Sequence, residues 1–188
     1  MKKTVILISM LLCISTVSHA QDSFYETERI IDIDDDFKLK VEKRFGSTFL
    51  TDPNDPEREV PKHHVGDGFY LDRYKINGND VLLGSVYETF TTEEINQFAS
   101  NYDNLTITAF WDKKGNIVKM YFSFHRNRKR FESIEPDKYA KLYRLLKERI
   151  KMTMTGDPEE RDYGYISINF MKVRDGELLL YPELYEFE

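Results

Sequence analysis

The stretch LTITAFWDKKGNIVKMYFSF, residues 105–124, limits the fold more than any other part of the chain. Val118, Met120, Phe122 and Phe124 alternate with Lys119, Tyr121, Ser123 and His125. A period of two with one apolar face marks a strand with one dry side. The turn-forming run Lys113 to Asn116 joins it to the strand before it, so the two make an antiparallel hairpin. Such a hairpin needs further strands and a cover for its apolar face.

Those strands and covers can be read nearby. FKLKVEKRF, residues 37–45, alternates Phe37, Leu39 and Val41 with Lys38, Lys40 and Glu42, which predicts a strand. FTTEEINQFASNY carries a capping box at Thr91 and Glu94, with Phe90 and Ile95 at the spacing of a hydrophobic staple. Ile95, Phe98, Ala99 and Tyr102 then repeat at helical spacing, predicting a helix from 92 to about 102. A longer helix starts at Pro136, whose missing N–H is harmless in a first turn. Its apolar stripe is Tyr139, Leu142, Leu146 and Ile150. Two more hairpins are predicted: one over FYLDRYKINGNDVLLGSVYETF turning at Asn77-Gly78, and one over YGYISINFMKVRDGELLLYPELYEF turning at Asp175-Gly176. Pro182 places the last strand at an edge or bulge. Ser47 to Gly68 shows no sustained period and reads as a loop. The order is three strands, helix, two strands, helix, two strands. The fold class expected is α+β: an antiparallel sheet of hairpins with two helices packed on one face.

The chain opens MKKTVILISMLLCISTVSHAQD. Two lysines, an apolar run from Val5 to about Val17 and the small residues of Ser18-His19-Ala20 read as a secretory signal peptide, residues 1–20. Residues 21–188 then form a single domain, of which 21–36 is an acidic, mobile lead-in. Export to the periplasm or cell surface is expected. Lipidation at Cys13 is disfavoured by the bulky Leu12 before it. No segment of the mature chain approaches the ~20 apolar residues of a membrane span.

Cys13 is the only cysteine. Its removal with the leader leaves no disulfide, thiol nucleophile or thiolate metal site. Without Lys2 and Lys3, 25 basic residues face 33 acidic ones, a formal charge of −8. That balance argues against nucleic acid as a partner. His63 and His64 are adjacent, and neighbours in an extended segment point to opposite faces, so a polar turn is expected rather than a metal site. Asp32, Asp34 and Asp36 imitate the start of a calcium loop. Phe37 stands where its glycine should be, and Lys43 where its glutamate should be. No Walker loop, G-x-G-x-x-G or G-x-S-x-G motif occurs, so no catalytic residue, cofactor or metal is assigned.

The basic residues are unevenly spread. From His125 to Lys151 there are ten Lys/Arg against four Asp/Glu. Arg126, Arg128, Lys129 and Arg130 end a strand, and Lys141, Arg144, Lys147 and Lys151 lie on the outward side of the helix. A field of one sign steers partners of the other sign. These eight residues are the candidate surface for an acidic protein or anionic envelope component. Tyr121, Tyr163 and Tyr165 are expected on the outer face of the sheet, where aromatic residues can bind sugars or peptides but more often pack under loops.

The stretch from LTITAFWDKKGNIVKMYFSFHRN through EPDKYAKLYRLLKERIKMTM to YGYISINFMKV resembles the C-terminal domain of the TonB energy transducers: a hairpin, an amphipathic helix and a returning strand. As a whole, the chain looks like the small exported proteins of unknown function common in Gram-negative gut bacteria. Neither resemblance implies a catalytic residue. The expected role is that of an exported, non-enzymatic binding protein. The alternative is a small hydrolase or small-ligand-binding protein with 47–68 as its lid.

Overall fold

The computed structural model describes residues 24–57, 74–76, 78–125, 127–154 and 163–177. Six antiparallel strands form the main sheet: β1 (Arg29–Asp32), β2 (Lys38–Arg44), β3 (Ser47–Thr51), β5 (Asn104–Trp111), β6 (Ile117–His125) and β8 (Tyr163–Asn169). Their spatial order is β1-β2-β3-β6-β5-β8. A separate antiparallel pair joins β4 (Tyr74–Ile76) to β7 (Met152–Met154). Five helices are described: α1 (Asn79–Thr89), α2 (Thr92–Ala99), α3 (Lys129–Glu132), α4 (Pro136–Arg149) and α5 (Phe170–Asp175). The fold is α+β.

The register puts Val41, Leu50, Phe122, Ile107 and Ile166 in one cross-strand row. All are buried. This inner face meets α4 through Tyr139, whose ring lies 5.6 Å from Phe122 and 6.2 Å from Phe124. Phe98 of α2, Phe131 of α3 and Phe170 of α5 close a second aromatic cluster, which reaches Phe124 through Phe131 at 5.3 Å. Fully burying each such side chain contributes about 1.5–3 kcal/mol. The capping box at Thr91 and Glu94 is formed. Tyr139, Leu142, Leu146 and Ile150 of the long-helix stripe are all buried. The hairpin over 105–124 is β5-β6, turning at Asp112 to Asn116. In the chain it is followed by α4 and β8.

Five expectations are corrected. The Asn77-Gly78 hairpin is not formed. Gly78, at φ 78°, leads into α1. Leu82, Val86 and Phe90 are buried at helical spacing, so a period near four prevails over the alternation. Asp175-Gly176 is not a hairpin turn either. Gly176, at φ 68°, ends α5, and the Glu177 N–H donates to the Lys172 carbonyl at 2.8 Å. Ser47–Thr51 is an interior strand rather than loop, and 58–68, with His63 and His64, lies outside the described residues. The acidic lead-in is ordered from Phe24. Tyr25 is buried and donates to the Ile134 carbonyl at 2.8 Å, and β1 pairs with β2. The cover is also larger than two helices, because α1, α3 and α5 join α2 and α4.

Gly84 sits mid-helix in α1 with open space where a Cβ would stand. Gly84→Ala is therefore expected to stabilise the protein by about 0.5–1 kcal/mol, read as a higher urea midpoint at unchanged slope. A loss of stability would contradict the helical assignment of 79–89.

Candidate functional site

The outer face of the sheet changes character along its strands. At one end, Tyr121 and Tyr165 flank Thr108 in register, beside Phe110 paired with Tyr163. These rings join Phe49 in a continuous ladder. Steps are 5.7 Å from Phe49 to Tyr121, 6.3 Å to Phe110, 5.8 Å to Tyr163 and 6.1 Å to Tyr165. Tyr121 and Tyr165 are half-buried, while Tyr163 is buried. Towards the other end the same face turns polar. Ser123, Thr106 and Ser167 lie in one row; Ser47 pairs with His125, and Asn104 with Asn169. There an open depression of about 240 Å³ is lined by Ser47, Asn104, Thr106, Ser123, Phe124, His125 and Arg128.

Two exposed aromatic residues stand on turns that lead into strands lining this depression, each in a backbone conformation that disfavours it. Phe45 and Gly46 are the two-residue loop between β2 and β3, at φ 51° and 78°. Positive φ at both positions is the type I′ geometry, whose preferred sequence is Asn-Gly. Phe45 is fully exposed, at 101% of its reference area. Tyr102 ends α2 at φ 55° and is 69% exposed. The Tyr102 N–H donates to the Ala99 carbonyl and the Asp103 N–H to the Phe98 carbonyl, both at 3.1 Å. That is a Schellman closure, and its left-handed position is usually glycine. These are the only non-glycine residues at positive φ among the described residues. Each leads by two residues to a lining residue, Ser47 and Asn104. Strands β3 and β5 are separated only by β6, so the two lining residues stand ~10 Å apart.

Charge at the rim comes from Arg128 and Arg130, paired to Asp103 at 3.1 and 3.7 Å. Asp103 is 1% exposed, and burial pushes its carboxyl above the ordinary range while the two guanidinium groups pull it down. The arginines keep 44% and 42% of their side-chain surface. Solvent therefore meets the cations and not their counterion. Arg128 uses Nη1 for Asp103 and for the Asn101 carbonyl at 3.2 Å.

The remaining basic candidates do not join this group. Arg126 lies outside the described residues. Lys129 is exposed at the start of α3. On α4, Arg144 forks onto Asp34 at 2.7 Å to each oxygen and lies over Phe37, and that contact holds the Asp34 carboxyl below its usual range. Lys147 pairs with Asp55 at 2.5 Å, Lys141 donates to the Glu88 carbonyl, and Lys151 donates to Asn116. Arg144 and Lys147 of α4 thus bind carboxylates of their own chain, while Lys141 and, beyond the helix, Lys151 bind a backbone carbonyl and an amide. Asp34 also accepts from the Asp36 N–H in a turn, and Asp32 pairs with Lys38. The aspartate triplet is thus spent on a hairpin. Among the described residues no group of three His, Cys, Asp or Glu gathers as metal ligands, and no helix is long and apolar enough to cross a membrane.

Sequence reasoning missed Phe45 and Tyr102. The signal was present as an absence: a phenylalanine where KRFGST asks for asparagine, and no glycine after the helix at 92–99.

No protein-family model matches the sequence, and no curated protein matches it. The fold is similar to that of a solved structure. It is a DUF5043 family protein from Bacteroides uniformis ATCC 8492, with a TM-score of 0.62 over 79% of this chain and 93% of that one. At 12% identity the DUF5043 likeness speaks for the fold alone. It is consistent with the resemblance to small proteins of unknown function from gut bacteria.

Proposed function

We propose that this is an exported, non-enzymatic binding protein of the periplasm or cell surface, and that it holds its ligand in the polar depression between Phe45 and Tyr102. The observation that carries the reading is the cost of those two residues. A left-handed conformation costs a non-glycine residue roughly 1–2 kcal/mol. An exposed ring recovers none of this by burial in the free protein. Strain of this kind clusters at ligand-contacting positions. The lining supports binding over turnover, since hydroxyl, amide, imidazole and guanidinium groups converge there and His125 Nδ1 accepts from the Asn127 N–H rather than from a serine hydroxyl. The lid reading of 47–68 is weakened by β3, which turns Ser47 to Thr51 into sheet. Docking of a partner on the α4 cations is likewise weakened, because they already have partners.

Site-specific photo-crosslinkers in the native host test this. Probes replacing Phe45 or Tyr102 are expected to label an envelope component, whereas a probe replacing exposed Glu148 on α4 is not. Equal labelling from all three positions, or labelling from Glu148 alone, would overturn the site.

A further inference from the structure

We infer that the depression takes a sugar ring carrying one oxyanion, a carboxylate or a sulfate, with Arg128 on the anion and Phe45 and Tyr102 against the sugar faces. The inference rests on the binding role proposed for this site and names its ligand class.

Three features select this chemistry. First, Ser47, Thr106 and Ser123 put three hydroxyls, each both donor and acceptor, on a rigid sheet beside the Asn104 amide. A ring bearing several hydroxyl groups satisfies such a surface, whereas a simple anion uses one or two groups and leaves the rest to water. Second, Phe45 and Tyr102 are exposed on the turns that lead into two of the lining strands, which lie ~10 Å apart. That spacing admits a sugar ring or two. The rings present an apolar body to the C–H faces, and their exposure leaves them free to do so. Third, the charge has one sign where solvent meets it. Two guanidinium groups share the single buried carboxylate of Asp103, leaving an excess of one positive charge. The planar fork of Arg128 suits carboxylate and sulfate oxygens, and the bonds to Asp103 and Asn101 use only its Nη1. A neutral sugar leaves that excess unanswered.

The test is calorimetric titration of the purified chain with tetragalacturonate, its methyl ester and a sulfated oligosaccharide of similar length. One or both acidic sugars should bind at least tenfold more tightly than the ester, with affinity falling as salt rises. Arg128→Gln should lower that affinity more than tenfold. Ser123→Ala, which leaves the Asp103 pairs untouched, should lower it by roughly threefold to tenfold, the worth of one hydrogen bond. Which acidic sugar binds assigns the oxyanion. An ester that binds as well as the acid would overturn the inference while leaving a neutral-sugar site under the proposed function. No binding by any of the three, with crosslinking at positions 45 and 102 intact, would overturn the ligand class alone.

Discussion

Tyr139→Ala is expected to cost about 4 kcal/mol of folding free energy, within the range measured for large aromatic truncations. Tyr139 is wholly buried on the inner face of α4. Its ring meets Tyr25 edge-on at 5.5 Å and also contacts Phe122 and Phe124, so one deletion opens the centre of the core. Its hydroxyl donates to the Phe131 carbonyl at 3.1 Å, and the truncation leaves that acceptor buried. Burial pushes the phenol well above its ordinary range, so the neutral donor persists at any physiological pH. Tyr139→Phe keeps the ring and removes only the bond, for a loss of about 1 kcal/mol. Urea denaturation of both variants separates packing from hydrogen bonding. Since domains are stable by about 5–15 kcal/mol, Tyr139→Ala should sit near the edge of folding. A loss under about 2 kcal/mol would mean that α4 does not organise the core.

Gly115→Ala should be nearly as damaging, by about 3 kcal/mol, for a different reason. Gly115 closes the β5-β6 turn at φ 78°, and an added Cβ would stand 1.9 Å from the Met152 carbonyl oxygen. The obstacle is backbone and cannot rotate away. The same two residues are joined by a bond from the Met152 N–H to the Gly115 carbonyl at 2.8 Å, so a shift that relieves the clash breaks the link between the turn and β7. Left-handed strain contributes about 1–2 kcal/mol and overpacking about 1–3 kcal/mol. Gly176→Ala separates the two: φ is 68° there, with nothing near the added Cβ, and only the strain should appear. Equal losses at both positions would show that the close approach of Met152 is not made.

Much of this architecture could be read from periodicity. Phe122 and Phe124 alternate so strictly that hairpin, register and inner face are set together, and the Tyr139–Ile150 stripe leaves α4 one way to pack. The errors have a common physical source. A glycine at positive φ serves a hairpin turn, a helix end or a helix entry equally well. Gly78 and Gly176 therefore stay ambiguous until the conformation of the next residues is known. In 79–90 the apolar residues satisfy both periods, and only the tertiary contacts of Leu82 and Val86 decide between them. The acidic segment looks too charged to order itself. Its aspartates are matched by Arg144 and Lys38, partners distant or local that composition alone does not assign.

The candidate site was harder to read than the fold. Alternation through Phe37, Leu39 and Val41 would carry Phe45 onto the buried face, and only the tight turn ejects it. Tyr102 continues the helical stripe of Ile95 and Phe98, yet the helix ends before it can bury. Both residues look like core in sequence and become surface because the backbone reverses at each. The polar lining assembles from the ends of three strands, β3, β5 and β6, and from Arg128 just before α3, which no single segment announces.

The double variant Phe45→Asn/Tyr102→Gly tests the central claim most directly, with thermal melting and retention on isolated envelopes measured on the same preparation. Each substitution supplies the residue that its backbone conformation prefers, at sites on separate turns whose effects should add. The account predicts a protein more stable by about 2 kcal/mol, a rise of roughly 4–8 °C in Tm, that no longer binds the envelope. A variant that melts lower, or one that gains stability and still binds as the natural protein does, would contradict it.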